Sequence, residues 1–123
     1  LLRRAGRAAL SREAPSAELS ITLLDDAAIA EMNQRWLDHM GPTDVISFPL
    51  YEPGEDVVGD VYIGYDQVVR QARENDVPVR EELARVVVHG ALHVLGHEHP
   101  DGRARLRSAM WRLQERIVAQ VVT

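Results

Sequence analysis

No cysteine and no lysine occur in this chain, so all fourteen of its Lys/Arg positions are arginine. Without cysteine there is no disulfide framework, no thiolate metal cluster and no cysteine nucleophile. The missing lysine carries no functional meaning of its own. Aromatic residues are few, one Phe, two Trp and three Tyr, so material for stacking on nucleic-acid bases is sparse. Apolar runs are short: none approaches the ~20 residues that cross a bilayer. The stretch Leu1 to Leu10 is broken by Arg3, Arg4 and Arg7, which excludes a signal-peptide core. These absences lead us to expect a cytoplasmic protein with no membrane partner. An initiating methionine is lacking too, and we expect a trimmed chain from which an N-terminal element is missing.

What is present suits a globular domain. A length of 123 residues, 46% hydrophobic and 27% charged, fits one domain spanning 1–123 around a modest single core. The net charge of −5 is unevenly spread. Residues 1–12 carry four arginines and no acid, residues 13–102 five arginines against eighteen acids, and residues 103–123 five arginines against one acid. Basic ends around an acidic middle are compatible with phosphate contacts, and equally with solvated helix faces.

Periodicity divides the chain into eight elements. Leu1 to Leu10, alanines and leucines between arginines, reads as a helix. Glu18 to Leu24 alternates, with Leu19, Ile21 and Leu23 on one face, and reads as a strand. Asp25 or Asp26 caps a helix through about Arg35, with Ile29, Met32 and Trp36 at helical spacing. A Gly-Pro loop over residues 38–43 precedes a strand from Asp44 to Leu50, whose Pro49 lacks a ladder donor and marks an edge. After a turn at Pro53 and Gly54, Val57 to Gly64 forms a third strand, antiparallel to the second because the connection is short. Asp66 caps a helix to about Asn75, and Pro78 opens another where a missing amide is harmless. Pro100 and Asp101 start the last helix, with Leu106, Met110, Leu113, Ile117 and Val121 on its core side. The order is αβαββααα, an α+β (α/β-like) fold in which helices pack a small mixed sheet.

Chemistry concentrates in the run His89-Gly90-Ala91-Leu92-His93-Val94-Leu95-Gly96-His97-Glu98-His99. Residues four apart in a helix lie about 40° apart around the axis, so His89 and His93 point the same way. Gly96 stands where the helical pattern stops, and a left-handed glycine there turns the chain back so that His99 can return to the same ion. Three imidazoles with one coordination position open to water are the pattern of a catalytic zinc, since structural sites are usually closed by four protein ligands. We therefore expect one Zn²⁺ held by His89, His93 and His99. His97 falls at a spacing that suits a supporting or solvent-facing role.

The spacing is that of the metzincin-like H-x-x-x-H-x-x-G-x-x-H helix and turn. Zinc proteases with this spacing place a glutamate general base directly after the first histidine, and here Gly90 occupies that position. A metalloprotease is thereby reduced to a minor alternative, in which Glu98 would have to act as the base.

The same run, with Pro42-Thr43-Asp44-Val45-Ile46-Ser47-Phe48-Pro49 and Gly59-Asp60-Val61 upstream, closely resembles the YbeY family of bacterial endoribonucleases. The similarity extends from about Glu18 to the C-terminal helix, and family members usually begin with one further strand. The resemblance implies zinc ligation by His89, His93 and His99. It also implies single-strand-specific endoribonuclease activity in 16S ribosomal RNA 3′-end maturation and small-subunit quality control, with ribosomal RNA and small-subunit proteins as partners. Many members carry an arginine before Pro-Thr. Counting back from Pro42 puts Leu37 there, with Arg35 two residues away and about 200° around a continuing helix. Arg35 and Glu98 are the candidate catalytic side chains, and His39 is a lesser one in the same loop. The missing arginine keeps open a non-catalytic ribosome-assembly factor stabilised by a structural zinc.

Overall fold

The computed structural model describes residues 1–11, 13–14, 16–98, 104 and 108–122. Within them the chain runs α1 (Leu2–Leu10), β1 (Glu18–Leu24), α2 (Asp26–Leu37), β2 (Val45–Pro49), β3 (Val58–Gly64), α3 (Tyr65–Glu74), α4 (Val79–Val94) and α5 (Ala109–Val122). This is the αβαββααα order that periodicity predicts. The sheet order is β1-β3-β2. β3 pairs parallel with β1, in register Leu19↔Gly59, and antiparallel with β2, in register Ser47↔Val61. Pro49, at the end of edge strand β2, has no central-strand ladder to break.

One face of the sheet, carrying Val45, Ser47 and Val61, receives α4 at close range. α4 buries Val86, Val87, Val88, Ala91, Leu92 and Val94 almost completely, the valines and the leucine each contributing roughly 1.5–3 kcal/mol by removal from water. α1 packs against both α4 and α5, and its Gly6 lies beside the side chains of Leu19 and Ile21 on β1. α2 covers part of the opposite face, where fully buried Ile29 meets Gly64.

Three local expectations are corrected. Asp66 lies inside α3, whose N-cap is Gly64, and its carboxylate instead accepts from the Asp26 amide of α2 at 3.1 Å. Trp36 is not a core residue: α2 turns it outward, 65% exposed. The last helix starts at Ala109, behind Ser108, whose hydroxyl accepts from the Trp111 amide at 3.1 Å. The expected start at Pro100 and Asp101, and Leu106 of the expected core stripe, lie outside the described residues.

Candidate metal centre

α4 carries the site because one of its faces is polar while the rest is core. Glu82, His89 and His93 follow one another at helical spacing, and Arg85 lies beside them. The helix ends as the glycine position foretells. Gly96 has φ of +99°, its amide donates to the His93 carbonyl at 3.0 Å, and the His97 amide donates to Leu92 at 3.0 Å. This paired arrangement is a Schellman motif. Tyr51 adds a phenol hydrogen bond to the Val94 carbonyl at 2.6 Å, satisfying an acceptor that the helix end would otherwise leave open.

His89 and His93 converge. Their Nε2 atoms are 3.1 Å apart and their rings meet edge to face at 4.6 Å between centroids. At that separation the pair shares either one proton or one cation. Two nitrogens bound tetrahedrally to zinc at ~2.0–2.1 Å would stand roughly 3.3 Å apart, so the observed spacing fits a common ion. Nδ1 of His89 meets Oε1 of buried Gln114 at 2.6 Å. A carbonyl oxygen only accepts, so Nδ1 carries the proton and, in the neutral ring, Nε2 keeps its lone pair. That protonation state is the one a metal ligand needs. His99 lies outside the described residues, and among those described no cluster of three His, Cys, Asp or Glu side chains assembles.

His89 opens onto a cavity of about 710 Å³ between α3, α4 and α5, which also touches Asp44. Its wall is a connected polar network. The Gln71 amide donates to Asp44 at 3.3 Å and to Glu82 at 3.1 Å. Arg85 donates to Glu82 at 2.8 Å, to Glu81 at 3.2 Å and through two nitrogens to Glu115 at 2.9 Å each. The hydrogen bonds to Glu115 are foremost in holding the guanidinium pKa above its ordinary value, against the opposing effect of burial. Three carboxylates therefore occupy Arg85, the one arginine of the wall among the described residues. With Asp44, Glu74, Glu82 and Glu115 lining it, the described part of the wall is acidic.

The remaining candidates stand apart from this wall. Arg35 is exposed on the last turn of α2, which continues to Leu37, so the helix does not release it toward the loop. It does not line the His89 cavity. His39 is exposed in the following loop, and Glu98 is exposed beyond the Gly96 turn. His97 meets Glu13 at 2.7 Å and fastens the turn to the segment after α1.

Gly90 has a structural explanation. A Cβ built there would lie 2.8 Å from Val61 Cγ1, 3.0 Å from Val45 Cγ2 and 3.1 Å from Ser47 Oγ, and Ser47 donates to the Gly90 carbonyl at 3.1 Å. A glutamate at this position would start into the sheet, which removes the structural basis for restoring a protease base there. Sequence periodicity missed Gln114, Glu82, Arg85 and Gln71. One signal was present: Gln114 lies four after Met110 and three before Ile117, a polar residue in an otherwise apolar stripe.

Fold and site together define a small α+β protein with a paired-histidine helix at the edge of a polar cavity. The profile of the family described as endoribonuclease YbeY matches residues 2–122, and the chain belongs to that family. It is 39% identical to the endoribonuclease YbeY of Mycobacterium leprae over 121 residues, covering 88% of this chain and 68% of the relative. The relative in Mycolicibacterium smegmatis shows the same identity and coverage. A solution structure of a Thermotoga maritima protein is similar at TM-score 0.69 and 30% identity, covering 98% of this chain and 78% of that one.

Proposed function

We propose that this chain is a zinc-dependent endoribonuclease that cuts single-stranded RNA, acting in the cytoplasm in 16S ribosomal RNA 3′-end maturation and small-subunit quality control. The observation that carries the proposal is the 3.1 Å approach of the His89 and His93 Nε2 atoms in a YbeY-family chain. His89, His93 and His99 would hold the ion. Zinc, when bound, supplies Lewis acidity at a phosphoryl group and activation of water near neutral pH. The chain's own part is to orient the imidazoles, to offer Glu98 beside the third ligand as a proton acceptor, and to position RNA. Among the described residues the cavity wall is acidic and Arg85 is neutralised, which disfavours the phosphate backbone against that part of the wall. Arg35 is the cation nearest in sequence to the position of the family arginine.

Single-strand preference has support on the outer sheet face. Trp36, Phe48 and Tyr62 meet edge to face, with centroid distances of 6.4 and 6.0 Å. Three of the chain's six aromatic residues thus gather in one cluster, with Trp36 largely exposed. Unpaired bases can stack on such a surface, whereas paired ones cannot.

The test is cleavage of a single-stranded RNA by the zinc-loaded protein, by a chelated sample and by His93→Ala. Cleavage by the first alone is expected. Equal cleavage by all three contradicts the metal mechanism. The acidic wall and the absence of an arginine at position 37 favour one other possibility, a ribosome-assembly factor with a structural zinc. That protein would bind RNA without turnover and would melt when zinc is removed.

A further inference from the structure

We infer that Gln114 is a positioning residue that sets the tautomer of His89 and so aims the ring's Nε2 lone pair at the cation; this rests on the metal-site proposal above. Gln114 is 1% exposed, among Met110, Ile117, Val118 and Val121 on the buried side of α5. An amide there is costly unless its polar atoms are bonded. Both ends are bonded: Oε1 accepts from His89 Nδ1 at 2.6 Å, and Nε2 donates to Glu115 Oε2 at 3.1 Å.

The amide cannot reverse without loss. A carboxylate only accepts, so the NH₂ group must face Glu115, which leaves Oε1 for the imidazole. Glu115 is itself fixed by Arg85, whose Nε and Nη2 grip its two oxygens at 2.9 Å each. The relay therefore runs from Arg85 through Glu115 and Gln114 to the proton on His89. Each link constrains the next by donor and acceptor type alone. Free histidine in water favours the proton on Nε2, the opposite of what ligation through Nε2 requires. Gln114 supplies the bias that reverses this preference before any ion arrives.

The experiment uses the full chain, labelled with ¹⁵N and stripped of metal, at a pH about two units above the ordinary imidazole pKa of roughly 6.5. Long-range ¹H–¹⁵N correlations identify which His89 nitrogen carries hydrogen, and competition with a chromophoric chelator measures zinc affinity on the same samples. Wild type is expected to show Nδ1–H. Gln114→Met, of similar volume but without the amide acceptor, is expected to shift His89 toward Nε2–H and to weaken zinc binding about 10–100-fold, the usual range for loss of such a partner. The exchange Gln114→Glu with Glu115→Gln, which keeps an acceptor for His89 Nδ1, a donor–acceptor pair between positions 114 and 115 and an acceptor for Arg85, is expected to restore Nδ1–H and most of the affinity.

An Nε2–H proton in wild-type His89 overturns the inference without any variant, so a Gln114→Met protein that fails to fold does not shield it. Unchanged tautomer and affinity in a folded Gln114→Met also overturn it, while wild-type zinc binding leaves the metal site standing. Wild-type protein that shows Nδ1–H yet binds no zinc overturns the metal site, and with it the metal-directed role of Gln114.

Discussion

At Gly90 the central helix and the sheet come so close that even a methyl group meets Val61 at 2.8 Å. Both methyls of a valine are stiff, so the neighbour cannot simply swing away. Overpacking of this kind costs about 1–3 kcal/mol, against a helix-propensity gain of up to ~1 kcal/mol for Gly→Ala. Gly90→Ala should therefore lose about 1–2 kcal/mol, measured as a lower urea midpoint at unchanged m-value; a stabilised variant would contradict the packing described. Arg85 provides a second single-residue test. Glu82 is 4% exposed, and its partners are Arg85 and Gln71. Arg85→Met leaves that carboxylate buried without its cation, a change that costs about 3–5 kcal/mol in comparable buried pairs, and somewhat less here because Arg85 is only partly buried. Since the Arg85 pKa is raised, its contribution is fully present below the unfolded-state value and is lost only as pH rises through the still higher folded value. Chemical denaturation between neutral pH and about pH 10 should accordingly show the Arg85→Met deficit unchanged.

Among the elements, α4 is the one on which site and fold depend together. Its C-terminal turn needs a residue at φ +99°, and a side chain in the left-handed region costs roughly 1–2 kcal/mol. Gly96→Ala should lower stability by about that amount. It should also weaken zinc binding by more than the stability loss explains, because the turn sets the path to His99. Equal zinc affinity in wild type and Gly96→Ala would separate the turn from the site. Element order was legible in the sequence because hydrophobic period and capping are local signals: Glu18–Leu24 alternates, and Asp25 caps α2 through the Ala28 amide at 2.8 Å. Asp66 misled because its carboxylate serves a neighbouring helix forty residues away in sequence. The histidine pair was legible for the same local reason, being one helical turn apart. The network behind it was not, because its links join α4 to α5 across 25 and 30 residues and leave only one polar residue in an apolar stripe as a trace.

On the scale of the whole molecule, folding brings together the two basic ends that lie furthest apart in the chain. α1 packs beside α5, joined by a hydrogen bond from Arg4 to the Val121 carbonyl at 3.0 Å. Arg3, Arg4, Arg7, Arg112 and Arg116 are all exposed on these two helices, while the described wall of the cavity beside His89 is acidic. A polyanionic substrate should gain its affinity from the first surface rather than the second. Replacing Arg3, Arg7 and Arg116 by Gln should flatten the dependence of log K on log salt for single-stranded RNA by up to ~2, about 0.7 for each phosphate contact removed. An unchanged slope would place RNA elsewhere. The central claim, however, is the ion. X-ray absorption at the zinc edge of the purified full chain tests it most directly. One zinc with three imidazole nitrogens at roughly 2.0–2.1 Å and one non-protein oxygen is expected; a first shell with fewer than three imidazoles, or one closed by a fourth protein side chain, would rule the site out.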